Sequence, residues 1–324
     1  MPKVSVVIVS MNRPDNLFPC LDSIRAHTSV SYETLVVAYL FTPENLASLK
    51  EKYPWVTVIE SNELRGFSEN NNLALRQVTG EYCFIVNDDT LMKEPVIDRL
   101  VAAIESLPDS AAAVSPCIRF ADGSVQTCGR SRWTAWRYAK HYLHLVNEGE
   151  VGARPGIHGH PRPCKREGPA GEASGRGLSE AKAIQGCAPT SHVYQTYTLN
   201  GACFLIKTEA FRKAGWFDER YFFTPEDIAL GHTLNSLGYT VWAVPDVSIT
   251  HLAGGSVGAM EAAIKPTRVR GSMIFYGEPL WLKCFIWCVE AFRYYVLRRK
   301  AARNVMEAVF SKLTPKEIFM KFRP

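Results

Sequence analysis

The stretch EYCFIVNDDTLM, residues 81–92, decides how the rest of the chain is read. Tyr82 to Val86 is an apolar run of strand length, and it passes directly into Asn87, Asp88, Asp89 and Thr90. If the run is a strand buried on both faces, two adjacent carboxylates are aimed off the end of the core. In open parallel sheets ligands gather beyond the carboxyl ends of the strands. Neighbouring carboxylates repel each other and desolvate poorly, so this position calls for a cation or for solvent. The motif leaves two readings: a divalent cation carrying a diphosphate, or Asp88 and Asp89 capping the next segment and facing water.

The flanking sequence supplies the sheet. KVSVVIVS (3–10) reads as a buried strand, and after it Leu17, Cys20, Leu21 and Ile24 recur at helical spacing. ETLVVAYL (33–40) is a second strand, followed by a short helix with Thr42 as N-cap and Pro43 at its first position. WVTVIES gives a third strand, and SENNNLALRQVTG a helix ending at Gly80. Alternation at this spacing predicts an α/β fold with a mostly parallel sheet flanked by helices. A helix over about 94–107 follows, with Ile97, Leu100, Val101 and Ile104 on one face, and then a hairpin turning at Asp122-Gly123. Later segments predict a helix capped by Thr208, another bearing Leu230, Leu234 and Leu237, and a strand from Thr240 to Val244.

Composition narrows the classes. At 47% hydrophobic and 21% charged residues, the chain can bury a large core. Nine scattered cysteines without zinc spacing, behind an opening MPKVSVVIVS, fit a reducing, cytoplasmic setting. Net charge is +5, but the segment from Lys283 to Arg323 holds ten Lys/Arg against three Glu, leaving −2 for the remainder. A basic body that would bind nucleic acid is therefore not expected. Residues 150–190 contain eight Gly and five Pro and read either as disorder or as a lid that orders on the acceptor side. Leu280 to Leu297 is apolar apart from three charged residues and carries six aromatic rings, with RRKAAR after it. That suits a helix lying on an anionic membrane surface, or one packed on the domain or in a homodimer.

Four stretches in order carry a resemblance: VSVVIVSMNRPDNLFPCLDSI, NELRGFSENNNLALRQVTGEYCFIVNDDT, LNGACFLIKTEAFRKAGWFDERYFFTPEDIALGHTLNSLGY and THLAGGS. Together they resemble the family 2 glycosyltransferases of GT-A fold, in particular the rhamnosyltransferase-like branch. The resemblance implies a catalytic domain over 1–256 and a basic helical extension over 257–324. It also implies a metal-dependent, inverting transfer of a sugar from a dTDP- or UDP-linked donor to a glycan or lipid-linked acceptor. The cofactor it implies is Mg²⁺ or Mn²⁺.

The same resemblance assigns residues. Ser10, Asn12, Arg13, Gly66, Phe67, Asn71, Asn87 and Asp88 match positions beside the nucleotide and sugar. Asp89 and His251 match the metal site, with Gly254-Gly255-Ser256 beside phosphate. Asp227 matches the general base, and Glu226 holds it or meets the acceptor. A transferred hydroxyl must lose a proton as it attacks, which is why a carboxylate is needed there. Two departures stand out: Ala38 replaces an Asp that reads the base, leaving Tyr39 as a stacking candidate, and Ala229 replaces a second Asp near the acceptor. A nucleotidyltransferase of related sheet and a non-catalytic partner of a glycan-assembly complex remain the rival classes.

Overall fold

The computed structural model describes residues 1–145, 193–252 and 261–323. The Gly/Pro-rich loop, Gly254-Gly255-Ser256 and the domain boundary at 256 lie outside the described residues. The first half alternates as the sequence indicates: β1 (Val4–Met11), α1 (Pro14–Ala26), β2 (Tyr32–Tyr39), α2 (Pro43–Lys52), β3 (Thr57–Ser61), α3 (Phe67–Leu75) and β4 (Tyr82–Val86). Every residue of β4 is buried. There follow β5 (Thr90–Leu91), α4 (Val96–Glu105), β6 (Ala111–Arg119), β7 (Val125–Thr127), α5 (Ala135–Tyr142), β8 (Tyr194–Thr196), β9 (Cys203–Lys207), α6 (Thr208–Lys213), α7 (Glu226–Ser236) and β10 (Thr240–His251).

The sheet runs β3-β2-β1-β4-β9-β6-β10-β5. It is mixed but mostly parallel. β1 pairs in parallel with β2 on one side and β4 on the other, so the winding reverses there and a crevice opens at their carboxyl ends. β9 enters antiparallel between β4 and β6. Its first residue therefore lies at the crevice edge, with Cys203 paired to Val86.

Two apolar layers hold the sheet. On one face Val4, Val6 and Ile8 meet Leu17, Leu21 and Ile24 of α1 and Ile97 and Leu100 of α4. On the other, Val7 and Ile85 meet Ala74 and Leu75 of α3 and Leu230 and Leu234 of α7. Side chains such as Ile8 and Leu17, at 0% exposure, each contribute about 2 kcal/mol by leaving water. Thr42 caps α2 as predicted, its Oγ1 accepting the Asn45 N–H at 3.3 Å. The hairpin turns at Asp122-Gly123, where Gly123 has φ +84.

Some boundaries differ. α3 stops at Leu75, not Gly80. Gly80 instead lies against β1, where a Cβ would fall 2.6 Å from the Ser5 nitrogen, so close backbone approach fixes the glycine. Thr208 is the first residue of α6, not its cap, and its hydroxyl donates to the Gly80 carbonyl at 2.7 Å. β10 continues past Val244 to His251 through a register shift between Val244 and Ser248.

The carboxyl-terminal helices are α8 (Glu261–Phe275), α9 (Leu280–Tyr295), α10 (Ala302–Phe310) and α11 (Pro315–Phe322). They pack back onto the sheet domain: Ala263, Ile264 and Phe319 surround Phe222, and Lys316 pairs with Glu69 of α3 at 3.0 Å. A Cβ on Gly271 would lie 2.3 Å from the Thr224 carbonyl, so α8 rests directly on the approach to α7. Among the described residues no helix is long and apolar enough to cross a membrane.

Candidate active site

The turn after β4 is set by backbone. The Asn87 N–H donates to the Ala202 carbonyl at 3.0 Å, and the Asn87 carbonyl accepts from the Thr90 hydroxyl at 2.9 Å. β5 then pairs antiparallel with the end of β10, matching Thr90 to His251, and the Leu252 N–H donates to the Asp89 carbonyl at 2.8 Å. This pairing brings Asp89 Oδ1 to 3.0 Å from His251 Nε2, both side chains largely buried. His251 Nδ1 lies 2.8 Å from Gln126 Oε1 on β7. The imidazole is thus held at both nitrogens, Nδ1 by the Gln126 side chain and Nε2 by the Asp89 carboxylate.

Asp88 sits deeper. Burial first, and the neighbouring Asp89 charge after it, push its carboxyl up to about 6 against the pull of the Ser10 hydroxyl and the Arg13 guanidinium. The Ser10 hydroxyl is itself fully buried. The Asp88–Asp89 end of β4 thus concentrates negative charge where little water reaches it, an arrangement a divalent cation would neutralise. Among the described residues no three His, Cys, Asp or Glu side chains converge as a complete cage. Asp89 and His251 bring one carboxylate oxygen and one imidazole nitrogen to within 3.0 Å of each other at this end of β4.

The other residues expected beside a nucleotide divide. Ser10 and Arg13 stand at Asp88, at the crevice. Asn12 adopts φ +51, a left-handed conformation Asn tolerates, and its Oδ1 accepts from the Thr42 N–H at 3.1 Å and Asn45 Nδ2 at 2.9 Å. It therefore holds the start of α2 and does not cap α1, whose N-cap is Arg13. Gly66, Phe67 and Asn71 form packing between α3 and the 217–222 loop. The Phe67 N–H donates to the Phe222 carbonyl at 2.9 Å, and the buried Asn71 side chain donates back to the Phe67 carbonyl at 2.9 Å. Tyr39 is not free to stack on a base. Its ring, 6% exposed, alternates onto the α3 face with Val37, and its hydroxyl accepts from the Arg65 N–H at 3.2 Å.

Glu226 and Asp227 open α7, both less than a tenth exposed. Asp227 is less accessible than a helix-start carboxylate suggests. Its Oδ2 accepts from Arg130 Nη1 at 2.8 Å and the Gly201 N–H at 3.1 Å, and its Oδ1 from the Ile228 N–H at 2.7 Å. Glu226 is pushed well above the usual carboxylate range, by burial first and then by Asp227. The turn at the start of β9 links the two centres: Gly201 donates to Asp227 and Ala202 accepts from Asn87. Arg130 and Gln126 escaped sequence reading. Both lie in one hairpin that folds back onto the site, and nothing in GSVQTCGR marks it as doing so.

Beyond α7 two clefts adjoin. One, of about 360 Å³, is lined by Asn72, Arg76 and the 214–219 loop. The other, of about 470 Å³, lies among Arg132, Trp133, Tyr221, His232 and Tyr276. Ala229 borders both, and neither includes the carboxylates of β4.

Residues 5–156 match the model described as Glycosyl transferase family 2. Over 254 residues the chain is 26% identical to the O-antigen biosynthesis protein RfbC of Myxococcus xanthus, covering 77% of this chain and 17% of that protein. Over 80 residues it is 34% identical to the N-acetylglucosaminyl-diphospho-decaprenol L-rhamnosyltransferase of Mycobacterium tuberculosis, covering 25% of this chain and 26% of that one. The chain thus spans about a sixth and a quarter of these relatives. Among solved structures, GalNAc-T7 with UDP, GalNAc and Mn²⁺ superposes with a TM-score of 0.55 at 14% identity, covering 95% of this chain and 50% of that one. The mannosyltransferase PcManGT of Pyrobaculum calidifontis with GDP-Man and Mn²⁺ gives 0.50 at 18%, covering 99% and 79%. The fold is that of the GT-A glycosyltransferases.

Proposed function

We propose that this chain, a member of glycosyl transferase family 2, moves rhamnose or another hexose from a dTDP- or UDP-linked donor to a glycan or lipid-linked acceptor in surface polysaccharide synthesis. Residues 1–256 would be the catalytic unit and 257–324 its helical extension, in a cytoplasmic setting where nucleotide sugars are the donors. The observation that carries this reading is the Asp89–His251 pair, 3.0 Å apart at the crevice where the sheet's winding reverses.

The donor set fits a divalent cation, Mg²⁺ or Mn²⁺. Carboxylate oxygen suits both, and imidazole suits a transition metal better. Asp89 and His251 would hold it, and when bound it supplies positive charge to the departing diphosphate. Gln126 orients the imidazole through Nδ1.

The protein's own groups do the rest. In an inverting transfer the acceptor oxygen forms its bond to the anomeric carbon as the bond from that carbon to the diphosphate breaks, and the acceptor proton passes to a base. Asp227 would take that proton: Oδ2 is occupied by Arg130 and Gly201, while Oδ1 accepts from Ile228 and keeps a lone pair. Arg130 fixes the carboxylate in place through Nη1. Glu226, whose burial favours the protonated form, would then offer an O–H to hold the acceptor.

The experiment is Asp227→Asn. It is expected to abolish transfer and leave binding of a nucleoside diphosphate unchanged. Undiminished turnover sinks the assignment, and release of pyrophosphate from a nucleoside triphosphate by the wild type would identify a nucleotidyltransferase instead. A thermal-shift panel of UDP, dTDP, GDP and CMP with Mn²⁺ identifies the base, for which Ala38 offers no carboxylate.

A further inference from the structure

Helix α9 carries apolar residues on its outward face as well as on its inward one. A surface helix normally buries its apolar face and shows charge to water. Here the acid of the helix, Glu290, is fully buried, accepting from Tyr142 Oη at 2.6 Å and Lys265 Nζ at 3.0 Å and pairing with Arg293. Leu282 and Ile286 beside it pack on Val269, Met273, Val305 and Val309. The outward face carries Trp281, Cys284, Trp287, Cys288, Phe292 and Tyr295, all exposed, at the spacing of one helical stripe. Trp136 of α5, 63% exposed, extends the stripe, its ring 5.9 Å from that of Trp281.

The charge beside this stripe has one sign. Arg298, Arg299, Lys300 and Arg303 follow directly and are exposed, and no Asp or Glu occurs from Ala291 to Met306. A second copy docking on this face would bring a second cluster of the same sign, and among the described residues from Ala291 to Met306 there is no acid to meet it. Aromatic rings of mixed polarity next to a basic cluster complement the headgroup layer of an anionic bilayer. At 16 residues α9 spans about 24 Å, short of the roughly 30 Å of hydrocarbon a crossing helix must traverse. It fits lying flat.

We infer that the α9 face, with Trp136 and the basic cluster after it, docks this protein on an anionic lipid surface. The site is independent of the transfer chemistry proposed above, and it gives that chemistry a place: α5, which carries Trp136, begins at the rim of the cleft between Trp133 and His232, alongside α7.

Flotation of the full chain with vesicles of phosphatidylcholine, alone or mixed with phosphatidylglycerol, tests it. The wild type is expected to float with anionic vesicles at low salt and far less at high salt. Trp287→Ser with Phe292→Ser is expected to weaken binding about tenfold or more, the rings being the inserted groups. Changing Arg298, Arg299 and Lys300 to Gln should remove the preference for anionic lipid. All these residues are exposed, so the melting temperature should hold, and the thermal shift with nucleoside diphosphate separates this test from the proposed catalysis. The inference is overturned if the wild type does not bind anionic vesicles at low salt, or if the serine variant binds as well as the wild type. A wild-type dimer that the serine substitutions convert to a monomer, without vesicle binding, would assign the face to a second copy.

Discussion

Arg130 Nη1 lies 2.8 Å from Asp227 Oδ2, and the two side chains are 10% and 11% exposed. The pair joins the hairpin after β6 to the start of α7, so a distant segment fixes the candidate base. Removing one partner leaves a buried charge uncompensated. Arg130→Met is therefore expected to cost about 3 kcal/mol in urea unfolding as well as transfer activity. Combined with Asp227→Asn it should cost less than the two single changes added, by about 1 kcal/mol or more. Strictly additive losses would show that the two groups act independently.

The Asp89–His251 pair predicts linked binding. Mn²⁺ with a nucleoside diphosphate should raise the melting temperature of the wild type, because a ligand of the folded state stabilises it by mass action. Asp89→Asn should remove that shift, and His251→Ala should need about tenfold more Mn²⁺ or greater to reach it. An unchanged titration in both variants would place the cation elsewhere.

Gly66 tests packing in the α3 region. A Cβ there would lie 2.2 Å from the Phe222 carbonyl oxygen. Its φ of −80 is open to any residue, so the cost of Gly66→Ala is steric. Overpacking of this kind costs about 1–3 kcal/mol. A loss near zero, measured by denaturation, would mean that the 222 loop gives way freely.

Glu226 predicts a pH dependence with a definite sign. Burial raises its carboxyl in the folded chain above the ordinary value of 4.5, so folding favours the protonated form. That contribution is fully present below the unfolded value and is lost as pH rises toward the folded one. Glu226→Gln does not titrate. Over the pH range above about 5 its stability relative to the wild type should therefore rise. A constant difference across that range would mean that Glu226 is ionised in the folded protein.

How much of this was legible varies with the interaction that sets it. The alternating strands and helices through β4, the Thr42 cap and the Asp122-Gly123 turn were readable because each depends on neighbours within a few residues. The end of α3 was not, because Gly80 answers to the backbone of Ser5 across the sheet. Tyr39 was misread for a related reason. Strand alternation puts it on the α3 face, but only the folded loop supplies the Arg65 N–H that occupies its hydroxyl.

By itself the sequence determined the α/β class, the strand-end position of Asn87, Asp88 and Asp89, and the family resemblance, since apolar periodicity and short motifs are local properties. The tertiary structure alone decided that Asp89 meets His251, that Arg130 occupies Asp227, and that α9 buries its glutamate and exposes Trp281, Trp287, Phe292 and Tyr295. Those outcomes depend on which strands pair and which helix face finds a partner. Residues far apart in the chain settle them, because burying a charge or an apolar face is favourable only where the rest of the fold supplies what it must contact.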